Sequence, residues 1–456
     1  MSHLSSRTHA DGSHPDRRNF RFSLFELGGA LGDLGVLLPL TVALITLNHM
    51  NATSVFLVVG LAYIAAGAFY RLPMPVQPLK AVAAIAIASG LSAGVISASG
   101  LIMAAFLLIL AITGLVGPMS KLFPKAIVRG IQLGVGLFLV KAGLSLVSRQ
   151  EIIIGGRDAY VALADLSIPV GWILAVALAV VFLLFLRSKR IPASLALLGL
   201  GVLAGVFWGS IPGLKSLSLG LSLPALSVPT MADLSIALVL LVIPQIPLTL
   251  GNAVFATNDT AKAYFGPKAD RVTPKRLLTT MGIANLGAGF LGGMPICHGS
   301  GGLTAHYRLG ARTGAAGLII GGLFVALAIF VDGNVVPILS LIPYPVLGVL
   351  VMFVGVQHGM LAKDLRSARD IPVAVLVAVV ALVTTNLAIG FASGICLYLI
   401  LSALGTGRWV VKVVGKVERG TNNVLTRCRR INVAPEPQSR YVRNASDQAT
   451  EIQHGS

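Results

Sequence analysis

Two short stretches of this 456-residue chain join chain-breaking residues to groups that suit an anion. In Arg71-Leu-Pro-Met-Pro-Val-Gln-Pro78, prolines stand at 73, 75 and 78. Proline lacks an N–H and restricts its predecessor, which excludes helix here and favours an extended path. A short apolar helix is predicted to start near Leu79, with Lys80 in its first turn. In Gly292-Gly-Met-Pro-Ile-Cys-His-Gly-Ser-Gly-Gly302 the break is made by glycines and one proline, and a second short helix follows. The first N–H groups of a helix have no acceptor within it, and the macrodipole adds partial positive charge there. Two such ends facing each other form a cradle for an anion. Gly299, Gly301 and Gly302 would let the backbone approach a ligand closely. The alternative is that these prolines and glycines only kink and pack helices, as both do in membrane spans.

The polar groups nearby carry two readings each. Lys80 opposes the helix dipole and is unfavourable there unless an anion is near; otherwise it snorkels to the surface. His298 is either an anion donor or proton carrier, given an unperturbed pKa near neutrality, or a hydrogen-bonded structural histidine. Cys297 reads as a small packing residue. Glu26 and Asp33 stand in Glu26-Leu-Gly-Gly-Ala-Leu-Gly-Asp33, on one face of a predicted helix about two turns apart. Carboxylates inside an apolar segment are costly and mark function by default. For Glu26 a place at the cytoplasmic interface weighs slightly more. For Asp33, proton coupling or bracing of the broken helices outweighs a simple hydrogen bond to neighbouring backbone. In Pro244-Gln-Ile-Pro-Leu-Thr-Leu-Gly-Asn252, Gln245, Thr249 and Asn252 supply neutral donors for oxygens.

Soluble-enzyme motifs such as GxxxxGK(S/T) and HExxH are absent, and no metal or cofactor is expected. Without a nucleotide site, the energy for moving an anion must come from a gradient. A dianion entering against 100 mV, inside negative, costs about 4.6 kcal/mol, which proton symport through Asp33, Glu26 or His298 would offset.

These groups must be positioned by membrane helices. The chain is 55% hydrophobic and only 11% charged, against about 25% charged in soluble domains. Apolar runs recur near 24–47, 53–70, 79–92, 98–117, 125–147, 167–187 and 193–211, then near 233–256, 274–292, 299–310, 312–332, 335–357, 371–388 and 390–406. The expected fold is an all-α integral membrane protein of about fourteen spans, two of them short. The net charge of +18 follows the positive-inside rule rather than nucleic-acid binding. Arg17, Arg18 and Arg21, Lys121 to Arg129, Arg187 to Arg190, Lys262 to Arg276, Lys363 to Arg369, and Arg408 with Lys412 all fall on one side when the N-terminus is inside. Residues 1–23 are then a disordered cytosolic leader, 212–232 an external loop, and 407–456 a basic to polar cytosolic tail. Both termini are expected in the cytosol, with the protein in the cytoplasmic (inner) membrane.

The chain also repeats itself. Leu31-Gly32-Asp33 recurs as Leu250-Gly251-Asn252, and Phe123-Pro124-Lys125 as Ile342-Pro343-Tyr344, both at an offset of about 219 residues. Met74-Pro75 recurs as Met294-Pro295 at about 220, and Ile168-Pro169-Val170 as Ile371-Pro372-Val373 at about 203. An odd number of spans per copy inverts the second copy, so 24–211 and 233–406 read as the inverted repeats of a secondary transporter. The paired broken segments are then the pointer to a binding site at the bilayer midplane.

Four blocks resemble the molybdate transporter family, a branch of the sulfate permease superfamily: Glu26 to Gly35, Pro73 to Lys80, Pro244 to Asn252 and Met294 to Gly302. Tyr307-Arg308 and Gly310-Ala-Arg-Thr-Gly314 extend the last match, and Leu79 departs from a more usual methionine. The resemblance spans about 24–406 and implies a seven-plus-seven inverted repeat with core and gate domains and elevator-type movement. It implies a substrate site made by Gln77, Lys80, Gln245, Asn252, His298, Gly299, Ser300, Gly301 and Gly302. The tail is too short for the STAS domain of typical sulfate permeases, which fits the molybdate branch. The implied partners are molybdate or a related oxyanion, a coupling proton, the bilayer and a second copy in a homodimer. Sulfate or tungstate transport through the same site remains open, because physics alone does not separate tetrahedral dianions. A nucleobase–cation symporter would place a carboxylate where Asn252 stands. A membrane-embedded enzyme would need a nucleophile–base or metal constellation that Cys297 and His298 do not complete.

Overall fold

The structure, a computed structural model, describes residues 20–403 apart from 122, 154–155, 157–158, 164–165, 186–192, 208–223, 225, 331–335 and 340. Most of the predicted leader, much of the external loop 212–232, the tail 407–456 and the cations Arg187, Lys189 and Arg190 lie outside the described residues. The described residues up to Ile400 belong to one compact unit; the second is described only over Leu401–Ala403.

Helix α1 (Leu24–Leu31) is capped by Ser23, whose side chain accepts from the Glu26 N–H, and stops at Gly32. Asp33 then leads α2 (Leu34–Leu47), bent from α1 by 44°. The single helix predicted over 24–47 is therefore two helices, and Glu26 and Asp33 do not share a helix face. Helix α3 (Ala52–Tyr70) is capped by Asn51 and ends on Arg71, in the left-handed region at φ 55°. The three prolines follow at once and hold the chain extended through β1 (Gln77–Pro78). Next come α4 (Lys80–Ser89), α5 (Ala93–Thr113), α6 (Val116–Lys121) and α7 (Lys125–Val147). A ribbon of β2 (Tyr160–Leu163) and β3 (Leu166–Pro169) leads into α8 (Val170–Phe185) and α9 (Ala193–Gly205).

Helix α10 runs continuously over Met231–Ala269. It widens into π turns at Ala237–Val242 and Thr249–Ala256, on either side of Pro244 and Pro247. Each proline removes an N–H from the ladder, so the hydrogen bonds shift register around them. Then follow α11 (Pro274–Phe290), β4 (Ile296–Cys297), α12 (Ser300–Arg308), α13 (Ala315–Phe330), α14 (Val336–Leu339), α15 (Tyr344–Met360), α16 (Asp370–Thr384) and α17 (Leu387–Ala403). The fold is mostly helical rather than all-α: β1 pairs with β4, and β2 with β3.

Packing is by helix pairs: α3 on α13, α5 on α11, and α7 on both α15 and α16. Small residues set the distances. A Cβ on Gly136 would meet the Gly355 carbonyl at 2.6 Å, and one on Gly355 would meet the Gly136 carbonyl at 2.6 Å. Gly143 and Gly348 face each other in the same way. Helices α7 and α15 thus touch backbone to backbone, as membrane helices do when small residues line the contact.

Among the described residues five helices are long and apolar enough to cross a membrane, or six if α1 and α2 form one bent span. Further apolar helices, α4, α8, α16 and α17 among them, are shorter, at 10–17 residues. Large apolar side chains face outward, with Ile112 81% and Leu184 72% exposed. Lipid, not water, is the solvent such a surface suits. This is a multi-pass membrane protein.

Candidate functional site

The two broken segments cross. Gln77 pairs with Cys297 and Pro78 with Ile296, antiparallel, and the Leu79 N–H donates to the Pro295 carbonyl at 2.9 Å. Leu79 and Gly299 are the residues from which α4 and α12 start, so the crossing brings two helix N-termini together. Buried Asn285 on α11 clamps the crossing from behind. Its Nδ2 donates to the Ile296 carbonyl at 2.8 Å, and its Oδ1 accepts from the Ile296 N–H at 2.9 Å. Thr257 on α10 donates to the His298 carbonyl at 2.7 Å. These contacts satisfy main-chain groups that an extended strand would otherwise leave bare inside a membrane.

Three of the predicted residues converge on one face of Gly299. A Cβ there would lie 2.8 Å from Gln77 Oε1, 3.2 Å from Lys80 Nζ and 3.5 Å from Asn252 Nδ2. Ser300 Oγ donates to Asn252 Oδ1 at 2.8 Å. That bond turns the Asn252 amide so that its N–H₂ points to Gly299. A Cβ on Gly302 would meet Gln77 Nε2 at 2.7 Å and Asp33 Oδ1 at 2.8 Å, whereas one on Gly301 would meet nothing within 4 Å. Helix α12 has no side-chain cap, so its first N–H groups remain for a ligand.

Lys80 is buried, only 7% exposed, and does not snorkel. Among the described residues no carboxylate stands within ion-pair distance of it. An unpaired buried cation is expensive, and a bound anion is what removes the expense. In front of it is a narrow cavity of about 10 Å³, bounded by Lys80, Gln132, Gln245, Asn252, Cys297 and His358. That is room for about one water, so an oxyanion enters only when the walls part. A larger cavity of about 600 Å³ lies between α3 and α11 and meets the site through His298 and Thr280. Its walls are otherwise mostly apolar, with Lys275, Arg276 and Thr279 among them.

Other predicted residues are placed differently. Gln245 Oε1 accepts from the Ala81 N–H at 2.8 Å and the Val82 N–H at 3.4 Å, and its Nε2 donates to Thr249 Oγ1 at 2.9 Å. It caps α4, and lines the cavity only with what remains. His298 Nδ1 donates to the Pro75 carbonyl at 2.8 Å, and its Nε2 lies 3.2 Å from Thr280 Oγ1, a hydroxyl that also reaches the Leu277 carbonyl at 3.2 Å. A carbonyl can only accept, which sets this tautomer. His298 therefore ties the two broken segments together. Cys297 is a packing residue, its thiol 3.8 Å from the Pro78 carbonyl. Asp33 is fully buried, accepting from Tyr63 Oη at 2.6 Å and from Gln77 Nε2. Glu26 is not at an open interface: it is buried, and its Oε1 accepts from the Arg312 and Thr313 N–H groups, each at 2.8 Å.

Gln132 on α7, His358 on α15 and the Asp33 partner Tyr63 on α3 belong to the site and escaped sequence reasoning. Each stands in or at the end of an apolar helix, where a polar side chain is itself a signal. Their sequence distance from the broken segments hid the connection.

The family described as "Molybdate transporter of MFS superfamily" matches residues 25–139 and 237–357, which hold Asp33, Gln77, Lys80, Gln245, Asn252 and His298. The chain is 31% identical over 416 residues to Molybdate transporter 2 of Arabidopsis thaliana, an alignment covering 82% of this chain and 87% of the relative. It is 28% identical over 468 residues to Molybdate transporter 1 of Chlamydomonas reinhardtii, covering 81% and 90%. Among solved structures, the transmembrane domain of the cyanobacterial bicarbonate transporter BicA superposes with a TM-score of 0.60 at 21% identity, covering 82% of this chain and 98% of that one. The murine anion transporter Slc26a9 in its inward-facing state gives 0.58 at 16% identity, covering 85% and 70%. At these identities the structures speak for the fold alone. That fold is the one of BicA and Slc26a9, whatever superfamily the family's description carries.

Proposed function

We propose, since the chain belongs to the molybdate transporter family, that it is a secondary active transporter of a tetrahedral oxyanion, with molybdate as the cargo. The observation that carries the reading is Lys80, a buried cation without a carboxylate partner, placed where two helix N-termini meet. An oxyanion there receives the Lys80 ammonium, the Asn252 amide and the first N–H groups of α12, while Gln77 lines the same face. Charge-assisted bonds of this kind are about twice as strong as neutral ones.

The finer reading is a proton-coupled carrier of about fourteen spans in two inverted copies, moving as core against gate. The pairing of Gln77 with Cys297 supports the inverted copies, since these two residues are separated by the offset that relates Met74 to Met294. The packing of α3 on α13 and of α5 on α11 fits the same two-fold relation. The narrow cavity at Lys80 supports movement, because the anion has no room until the walls part. The clustering of cations at one set of loops supports the cytoplasmic membrane with the N-terminus inside.

The test is uptake of radiolabelled molybdate into proteoliposomes, with sulfate, tungstate and uracil as competitors. Saturable uptake blocked by tungstate supports cargo and site. Sulfate uptake without molybdate uptake leaves the site and replaces the cargo. Transport of uracil alone overturns the reading.

A further inference from the structure

One buried titratable side chain is left out of the site so far. His306 on α12 is 1% exposed, and its Nδ1 lies 2.7 Å from the Gly29 carbonyl. That carbonyl can only accept, so Nδ1 carries the proton, and in the neutral ring Nε2 holds a lone pair. Nε2 has no hydrogen-bond partner, yet it faces Asp33 Oδ2 at 3.9 Å. Two acceptors therefore confront each other in a site without water access. A single proton on Nε2 resolves the conflict by turning the contact into an N–H donor facing a carboxylate.

The geometry points to Asp33 and His306 as the pair that takes up the coupling proton, and this rests on the proton-coupled reading given above. With Nε2 empty the pair carries one negative charge; with Nε2 protonated it is an ion pair of zero net charge. Asp33 Oδ1 lies against Gly302, and Gln77 spans from Asp33 to the Gly299 face where the anion is placed. Protonation therefore removes a negative charge beside a dianion, so the proton and the anion favour each other's binding. At His298 Nε2 the neighbour is the Thr280 hydroxyl, which serves either protonation state, so no clash of acceptors there calls for a proton. The titratable and charged groups around the pair are Tyr63 from α3, which donates to Asp33 and stands edge-on to the His306 ring, and Lys80 from α4. On α1, Glu26 is turned to the backbone of Arg312 and Thr313, and Arg308 closes α12 itself.

The test compares wild type, His306→Gln and Asp33→Asn in proteoliposomes, measuring molybdate uptake with and without an inward proton gradient at matched voltage. Exchange of labelled for unlabelled molybdate at equal pH reports a folded carrier. Wild-type uptake is expected to rise several-fold with the gradient, and in both variants the ratio falls to about one while exchange is still measurable. A His306→Gln protein that keeps the wild-type ratio overturns the pair and leaves proton coupling standing. A wild-type ratio of one overturns proton coupling, and the pair with it. Should neither variant exchange, Tyr63→Phe decides. Losing the hydroxyl that donates to Asp33 changes the hydrogen bonding of the pair, so the midpoint of gradient-driven uptake shifts away from the wild-type value. An unmoved midpoint overturns the pair.

Discussion

The two helix ends that meet at the site start alike, each after an extended crossing strand, and are completed differently. The α4 end is closed by protein: Gln245 takes its Ala81 and Val82 N–H groups, and Lys80 stands in its first turn. The α12 end has no side-chain cap, and it is built of Gly299, Ser300, Gly301 and Gly302. One end supplies a full charge on a capped helix; the other supplies backbone without a side-chain cap. In the proposed site the single cation therefore comes from the closed end and the free N–H groups from the open one.

Lys80→Met is the strongest way to break this comparison. It removes the site's cation but also an unpaired buried charge, so function and stability should move in opposite directions. Molybdate uptake at low concentration is expected to fall by about 100-fold or more, while the melting temperature in detergent rises or stays level. A parallel fall in both would mean that Lys80 is paired in the folded protein and serves structure.

Gly299→Ala against Gly301→Ala sharpens it next. The first puts a methyl 2.8 Å from Gln77 Oε1 and 3.2 Å from Lys80 Nζ, whereas the second meets nothing within 4 Å. Expected uptake is reduced about 10-fold or more at 299, a loss on the order of 1–3 kcal/mol from overpacking, and little changed at 301. Equal losses at both would argue against a ligand on the Gly299 face. Gln245→Leu probes the closed end: it strips the acceptor from two buried N–H groups, for a stability loss of about 1–3 kcal/mol. Denaturation monitored in detergent should show this loss, together with weaker uptake. The smallest effect is expected from Ser300→Ala, which frees Asn252 to rotate. A rise in KM of about 5-fold, or about 1 kcal/mol, with maximal rate preserved would match a lost positioning bond.

Much of this was legible in the residues. Three prolines before Lys80 and a glycine-rich run around His298 announced two interrupted segments, because proline and glycine act on the chain locally, wherever it folds. The 24–47 stretch shows the opposite case. Its apolar residues run on across Gly32-Asp33, and the carboxylate there reads as a functional group inside one span rather than as a break. At the bend Asp33 is held by Tyr63 and Gln77, residues that reach it only in the folded protein. The two histidines make the same point. His298 looked the more reactive because it lies inside the motif, yet both its ring nitrogens are bonded; His306, less conspicuous, has one empty nitrogen aimed at a carboxylate.

The sequence by itself determined that this protein lives in a membrane, where its helices are interrupted, and which blocks place it among molybdate transporters. Those properties depend on composition and on short-range backbone restriction. Only the tertiary structure decided which polar groups are spent on each other and which are left for a ligand or a proton. Gln245 is used up as a cap and His298 as a tie, while Lys80 has no carboxylate partner among the described residues and the Nε2 of His306 has no hydrogen-bond partner. A hydrogen bond is a property of two groups and the distance between them, and for residues hundreds of positions apart the fold alone sets that distance.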